Sequence, residues 1–190
     1  MNHIGTEKIK TSRLVLRKIE LNDAQQFCEL LNDEKVQEYL AGIPENYSYQ
    51  MAVDYIGGKL SKKYNDQNFY DWGIEENSTH KLIGRITVYK QDEERRMADL
   101  IWYLSPHTRG KGYMTEAAEA LIKKLQDVGF EKIEAFANIK NKASLCVMKK
   151  IGMQYEGTLK KYDLRRDNTL YDAEMWAITK KLWFRKIKKI

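Results

Sequence analysis

The chain has 190 residues, 43% hydrophobic and 11% aromatic, which is the length of one ordinary domain with enough apolar mass for a core. Lys and Arg number 33 against 27 Asp and Glu, a net charge of +6, and mixed signs at that density exclude a disordered single-sign tail. Two prolines, 11 glycines, two cysteines (Cys28, Cys146) and three histidines (His3, His80, His107) exclude a collagenous chain, a disulfide scaffold and a multi-cysteine zinc site. The opening residues hold no apolar run of signal-peptide length, and no stretch approaches the roughly 20 apolar residues of a membrane span. A cytoplasmic protein without membrane contact is expected. The spread positive charge permits an acidic partner without requiring one, so direct nucleic-acid binding is not expected.

No repeat or linker divides the sequence, so one domain is expected over 1–190, with a short basic tail near 184–190. RLVLR at 13–17 is a short β-rich run. Asn22 or Asp23 is positioned to cap a helix carrying Ala24, Phe27, Leu30 and Leu31 on one face. Residues 41–47, with Gly42 and Pro44, form a loop. Tyr49, Ala52, Val53, Ile56 and Leu60 then predict a second helix near 49–64. The period changes at 69–75, 82–89 and 97–104, three strand-like runs joined by short polar gaps, which predicts an antiparallel meander closed by Pro106. A helix over 115–128 carries Ala118, Leu121, Ile122 and Leu125, with Gly129 as its C-terminal stop. A strand at 132–137 follows. Asn141 then opens a helix with Leu145, Met148 and Ile151, stopped by Gly152. Two last strands flank Arg166, Asp167 and Asn168, the second alternating as Tyr171, Ala173, Met175 and Ala177. The order β-α-α-β-β-β-α-β-α-β-β is mixed α/β and not doubly wound.

The segment SPHTRGKGYMTE at 105–116 carries the chemistry. A strand ends, a glycine-rich turn follows, and a helix starts at once. The orphan N–H groups and positive dipole end of a helix attract an anion. Gly110 and Gly112 remove the Cβ atoms that would hold a phosphate away, and Arg109 and Lys111 add charge. No GK[ST] ends the loop, and no third glycine completes a dinucleotide fingerprint. A tight strand–helix turn without a ligand has the same residues.

RGKGYMTEA at 109–117 resembles the acyl-CoA pyrophosphate loop of the GNAT superfamily of N-acetyltransferases, with Arg109, Gly112 and Met114 in register. Met114 departs from the family's small last residue. RLVLRKIELNDA at 13–24, KLIGRITV at 81–88, MADLIWYLSP at 97–106 and NKASLCVMKKIGMQYEG at 141–157 are similar to the branch that acetylates ribosomal-protein N-termini, the RimJ/RimL type. The resemblance implies an α/β fold: a mixed, mostly antiparallel central sheet of about seven strands with helices on both faces. It implies acetyl-CoA as cosubstrate, no metal, and direct attack by a primary amine. A peptide N-terminus is the expected acceptor. The alternatives are a small amine (polyamine, amino acid or aminoglycoside), or a non-catalytic CoA-binding or ribosome-associated module. Homodimers are common in the family, and a homodimer is an open expectation here.

By this resemblance the backbone of Trp102 and Leu104 pairs with the pantetheine arm. Arg109, Gly110, Lys111, Gly112, Tyr113, Met114 and Thr115 surround the pyrophosphate. Asn141 holds the pantetheine arm or simply caps its helix. Ser144 donates to the departing thiolate, with Tyr155 as the alternative donor. Asp99 stands where the family often has glutamate; it is a base acting through water or an ordinary strand-edge carboxylate. Cys28 and Cys146 are expected to be buried thiols, and His107 to be exposed. The segment KKLWFRKIKKI at 180–190 is expected to be an unstructured solubilising end. Residues 41–47 and 159–171 are the expected acceptor lining.

Overall fold

The computed structural model describes residues 1–165 and 168–187. The chain divides into two compact units, one of residues His3–Thr87 with Trp102–Ala120, the other of Met1–Asn2, Val88–Ile101 and Leu121–Ile190. Among the described residues, eight strands, β1 (Ile9–Lys10), β2 (Leu14–Arg17), β3 (Asp71–Glu76), β4 (Lys81–Asp92), β5 (Met97–Leu104), β6 (Lys132–Asn138), β7 (Gln154–Leu164) and β8 (Leu170–Thr179), form a mostly antiparallel sheet in the order β1-β2-β3-β4-β5-β6-β8-β7.

In the first unit, β1 (Ile9–Lys10), β2 (Leu14–Arg17), β3 (Asp71–Glu76) and the start of β4 (Lys81–Asp92) pair antiparallel in succession. β1 is the strand beyond the seven expected. Two residues are too few to show any alternation. Helix α1 (Ala24–Asn32) buries Ala24, Phe27, Leu30 and Leu31, the face its spacing predicts. Neither Asn22 nor Asp23 caps it through a side chain. The Asp23 carboxylate instead accepts both terminal nitrogens of Arg17 at 2.7 and 2.8 Å, and the N–H of Glu20 at 2.8 Å. An ion pair from the strand thus outcompetes the helix N–H groups for that carboxylate.

A four-residue helix, α2 (Glu34–Gln37), follows, opened by Val36 N–H donating to the Asp33 side chain at 3.0 Å. The predicted helix at 49–64 is three segments: α3 (Tyr49–Asp54), a π-helical stretch (Tyr55–Leu60) and α4 (Ser61–Lys63). Ala52, Ile56 and Leu60 still face the core, against Phe27, Leu31 and Leu82. Under this cluster, Arg85 Nε donates to Asp71 Oδ1 at 2.6 Å and Arg85 Nη2 to the Tyr55 hydroxyl at 2.9 Å. Tyr64 OH donates to the other Asp71 oxygen at 2.9 Å. Asp71 is fully buried, so this pairing is what makes its charge tolerable.

The second unit is built on β5 (Met97–Leu104, up to Ile101), β6 (Lys132–Asn138), β7 (Gln154–Leu164) and β8 (Leu170–Thr179). The strand β5 has the bounds its sequence predicts. It pairs parallel with β6, while β6–β8 and β8–β7 are antiparallel. Strand β8 lies inside the order, so Trp176 and Ile178 are buried as well as Ala173 and Ala177. Helix α5 (Tyr113–Val128) enters this unit at Leu121 and buries Leu121, Ile122 and Leu125. It ends where Gly129 N–H and Phe130 N–H both donate to Leu125 O, at 3.2 and 3.1 Å. Helix α6 (Lys142–Lys150) buries Leu145 and Met148.

Two further expectations change. Residues 180–187 are not an unstructured end: they form α7 (Lys180–Ile187), whose Trp183 is buried and whose Lys186 Nζ donates to Lys150 O at 2.9 Å. Residues 188–190 lie outside the described residues, as do Arg166 and Asp167 of the predicted turn; Asn168 is described and donates to Arg165 O at 3.0 Å. The cysteines are not buried thiols: Cys28 is half-buried and donates to Tyr47 O at 3.0 Å, and Cys146 is exposed. In α6 the core face is set by Leu145 and Met148, and Cys146 turns off it.

Candidate active site

The glycine turn of the first unit grows from the end of β5. Leu104 is buried and Trp102 half-buried, so side chains pack while the backbone carries the strand. Ser105 N–H donates to Ile83 O at 2.8 Å. A 3₁₀ turn, Pro106–Thr108, follows, closed by Thr108 Oγ1 donating to Ser105 O at 2.8 Å. Arg109 folds its Nε back to Leu104 O at 3.2 Å. Gly110 and Gly112 then take φ of +77° and +82°, the left-handed region that a side chain disfavours. His107, Gly110, Lys111 and Gly112 are exposed, His107 as expected.

Helix α5 starts at Tyr113, two residues before the predicted start. Its first intrahelical bond runs from Glu116 N–H to Gly112 O at 3.0 Å, so the N–H groups of Tyr113, Met114 and Thr115 precede any intrahelical acceptor. The Met114 side chain is buried in the core. Its departure from a small residue therefore points away from the exposed glycine turn.

Sequence reasoning missed what holds this turn. Glu116 Oε1 accepts Thr11 Oγ1 at 2.6 Å, Arg13 N–H at 2.9 Å and Ser12 Oγ at 3.0 Å, while Oε2 accepts Arg13 Nε at 2.7 Å. Arg13 Nη1 donates to Lys111 O at 2.9 Å, inside the glycine turn. Burial would raise the Glu116 carboxyl, but the donors of Thr11, Arg13 and Ser12 outweigh it and hold it down to about 2. Tyr113 OH donates to Glu76 Oε1 at 2.6 Å, and the Arg13 guanidinium lies 4.6 Å from the Tyr113 ring centroid. The available signal was an acidic residue in the first turn of a helix, which alone indicates only a favourable dipole contact.

The second unit holds the other expected residues. The parallel register runs Met97↔Lys132, Ala98↔Ile133, Asp99↔Glu134 and ends there, while β5 continues to Leu104 and β6 to Asn138. Asp99 is half-buried, and its carboxyl is raised above the ordinary range by burial and by the charge and hydrogen bond of Glu134, against Lys90 and Lys132. Asn141 caps α6: its Oδ1 accepts Ser144 N–H at 3.1 Å. This bond brings Asn141 and Ser144 together and leaves the Asn141 amide nitrogen outside the cap. Tyr155 does something else. It is exposed, its hydroxyl is 2.7 Å from Thr158 Oγ1, and its ring meets Trp176 edge-on at 5.7 Å.

Of the expected acceptor segments, 41–47 is anchored to α1, where Tyr47 N–H donates to Asn32 Oδ1 at 2.9 Å and Asn32 Nδ2 to Tyr47 O at 2.7 Å. In 159–171, Tyr162, Leu164 and Leu170 are exposed and Asp163 accepts Asn138 Nδ2 at 2.8 Å. Among the described residues, no group of three or more His, Cys, Asp or Glu is arranged to hold a metal ion, and no helix is long and apolar enough to cross a membrane.

Residues 13–154 match the acetyltransferase (GNAT) domain family. The chain is 30% identical over 177 residues to the uncharacterised N-acetyltransferase YnaD of Bacillus subtilis, covering 92% of this chain and 98% of that one. A GNAT-family acetyltransferase structure from Bacillus anthracis aligns with a TM-score of 0.77 at 28% identity, covering 92% and 99%. RimL, a ribosomal L7/L12 alpha-N-protein acetyltransferase in complex with coenzyme A, aligns at 0.78 with 18% identity, covering 91% and 98%. The turn, the parting strands and these likenesses converge: the chain belongs to the GNAT acetyltransferase family and is a GNAT-type N-acetyltransferase.

Proposed function

We propose that the chain moves the acetyl group of acetyl-CoA to the N-terminal α-amine of a protein or peptide, of the ribosomal-protein type, in the cytoplasm. The observation that carries cofactor use is the turn at Gly110 and Gly112, both left-handed, opening directly onto the free N–H groups of α5. Such a turn suits the pyrophosphate of CoA, with Arg109 and Lys111 supplying charge and Tyr113, Met114 and Thr115 supplying backbone donors. The β5 backbone at Trp102 and Leu104 pairs with the pantetheine arm, and the Asn141 amide nitrogen donates to it. The coenzyme A complex of the RimL structure supports the ligand.

The amine nitrogen forms a bond to the acetyl carbon as the carbon–sulfur bond breaks. Its proton goes to Asp99, through water, and β5 N–H groups stabilise the oxyanion. Ser144 donates a hydrogen bond to the thiolate that leaves. A free α-amine, with pKa near 7.7–8.0, is about one-tenth neutral at pH 7, whereas a polyamine nitrogen near 10.4 is neutral about once in a few thousand. A half-buried aspartate is a modest base, so it suits the first acceptor better. The ribosomal L7/L12 substrate of RimL supports the same choice, and two cysteines outside any disulfide support a reducing compartment.

Acetyl-CoA is incubated with peptides beginning Ser, Ala and Met, beside spermidine and aminoglycosides, and products are weighed by mass spectrometry. Peptides gaining one acetyl at the α-amine bear the reading out. Acetylated spermidine or aminoglycoside with bare peptides moves the acceptor to small amines. No product with any amine, together with intact CoA binding, makes the chain a binding module.

A further inference from the structure

In the first unit, Gly84 on β4 and Leu104 on β5 lie side by side: Ser105 N–H donates to Ile83 O at 2.8 Å, and a Cβ added to Gly84 would meet the Leu104 side chain. The next residues along the two strands, Arg85 and Tyr103, therefore share the other face of the sheet. That face meets the aromatic cluster of α1 and the π-helical stretch. The Arg85 guanidinium lies 5.7 Å from the ring centroids of both Phe27 and Tyr55, and Tyr103 packs on the same cluster. Phe27 in turn meets Tyr47, from the expected acceptor segment, edge-on at 6.2 Å. A guanidinium carries five N–H donors and no acceptor. Asp71 takes Arg85 Nε and Tyr55 takes Nη2, while Nη1 makes no hydrogen bond among the described residues, and 16% of the side chain reaches solvent. The Tyr103 hydroxyl is buried and has no hydrogen-bond partner among them. Arg85 beside it has no lone pair to offer, and the Asp71 oxygens are taken by Arg85 and Tyr64. Two neighbouring side chains thus each keep a donor for which the protein supplies no acceptor.

We infer that Arg85 and Tyr103 determine substrate specificity by binding a carboxylate that the amine substrate carries close to the nitrogen to be acetylated. This rests on the proposed transfer reaction, in which Trp102 and Leu104, the chain neighbours of Tyr103, pair with the pantetheine arm. A carboxylate offers two coplanar oxygens, one for the free Nη1 edge of the guanidinium and one for the Tyr103 proton. The rings of Phe27 and Tyr55 lower the local polarity, which strengthens such bonds. Asp71 already offsets part of the Arg85 charge, so a singly charged carboxylate suits the pair better than a phosphate. A polyamine carries only positive charge and is repelled by Arg85. In a peptide the carboxylate is the side chain of an acidic second residue. In a free amino acid it is the α-carboxylate.

The test reads binding and turnover separately on the full chain. Calorimetry with CoA present compares the peptide Ser-Glu-Ala-amide with Ser-Gln-Ala-amide, and serine with serinamide. The carboxylate member of a pair is expected to bind about tenfold tighter, the scale of one hydrogen bond to a charged group. A preference in the peptide pair puts the carboxylate on the second residue, and a preference in the serine pair alone makes it the amino acid's own. Tyr103→Phe leaves the Arg85–Asp71 pair intact. It is expected to cut the preference severalfold and to leave the Kd of the neutral member unchanged. Arg85→Gln combined with Asp71→Asn removes both charges at once and is expected to abolish the preference; if that chain does not fold, Tyr103→Phe decides alone. Equal Kd values within both pairs overturn the inference, as does a preference that Tyr103→Phe leaves at its parent value. Acetylation of the same compounds is followed by mass. A preference that Tyr103→Phe reduces, with no amine acetylated, sustains the carboxylate site and overturns the transfer reaction. Acetylation of both members of each pair with equal Kd and equal kcat/KM sustains the reaction and overturns the site.

Discussion

Arg13 and Glu116 are 103 residues apart in sequence and are joined twice, backbone N–H to Oε1 at 2.9 Å and Nε to Oε2 at 2.7 Å. The same arginine reaches Lys111 O at 2.9 Å. One side chain thus ties the turn before β2 both to the first turn of α5 and to the glycine turn. The geometry of the glycine turn therefore depends on a residue outside both the turn and the helix it opens.

This clamp has a pH signature. The Glu116 carboxyl is held at about 2 in the fold against a reference of 4.5. A carboxyl lowered by folding adds stability that is present above the unfolded pKa and is lost as pH falls toward the folded one. Glu116→Gln should lower thermal stability at neutral pH, by about 1.5–3 kcal/mol if charged hydrogen bonds of this kind are removed. The gap to the parent chain should shrink between pH 4.5 and about 2. Melting temperatures taken through that window check it. A gap that stays constant with pH would mean that the carboxylate charge is not what holds the clamp.

Gly112 combines φ of +82° with a position where an added Cβ lies 3.5 Å from Arg13 Nη2. A β-branched residue there is strained by about 1–2 kcal/mol, and its branch crowds the Arg13 guanidinium that holds the turn. Gly112→Val should weaken acetyl-CoA binding tenfold or more in calorimetry. A folded Gly112→Val chain with the parent affinity would remove the pyrophosphate from this turn.

Asn141 separates two roles by substitution. Its Oδ1 caps α6, and its amide nitrogen lies outside that bond as its only donor. Asn141→Asp keeps the capping oxygen and loses the donor, whereas Asn141→Ala loses both. The alanine variant should be less stable by about 1 kcal/mol, the aspartate variant close to the parent. Both should raise the KM for acetyl-CoA. If only Asn141→Ala differs from the parent, and only in stability, capping is the whole role.

How much of this was legible in the sequence depends on the length of each signal. Strand β5 was read to the residue because charged turn residues precede it and Pro106 follows it. Helix α1 was legible from the spacing of Phe27, Leu30 and Leu31, but its cap was not, since Arg17 captures Asp23 from another element. β1 and α2, of two and four residues, span about one period each and so show no repeat. The π-helical stretch Tyr55–Leu60 keeps the apolar positions of an α-helix, so the pattern alone does not reveal it. Helix α7 was hidden by its lysines and arginines, although Trp183 marked a buried face. In the site, the glycine turn is local and was found. The Arg13–Glu116 clamp joins the turn before β2 to α5, 103 residues on, and the opposition of Asp99 and Glu134 follows only from strand register.

The thiolate donor is the last question a substitution can decide. Ser144 sits in the first turn of α6, half-buried, with its backbone N–H held by the Asn141 side chain and its hydroxyl outside that bond. Tyr155 is exposed, and its hydroxyl is engaged with Thr158. A donor to the leaving group gains strength only as charge develops on sulfur, so its loss falls on kcat and spares cofactor affinity. Ser144→Ala should lower kcat by about 10²-fold, the lower end for positioned proton donation, with the acetyl-CoA Kd unchanged. Tyr155→Phe should leave kcat within about twofold, since the hydroxyl it removes serves the hairpin, and surface changes of that kind are small. Stopped-flow single turnovers, which isolate the chemical step, should show the same contrast. The opposite pattern, with Tyr155→Phe slow and Ser144→Ala at the parent rate, would transfer the donor to Tyr155 and require its hydroxyl to leave Thr158 when acetyl-CoA binds.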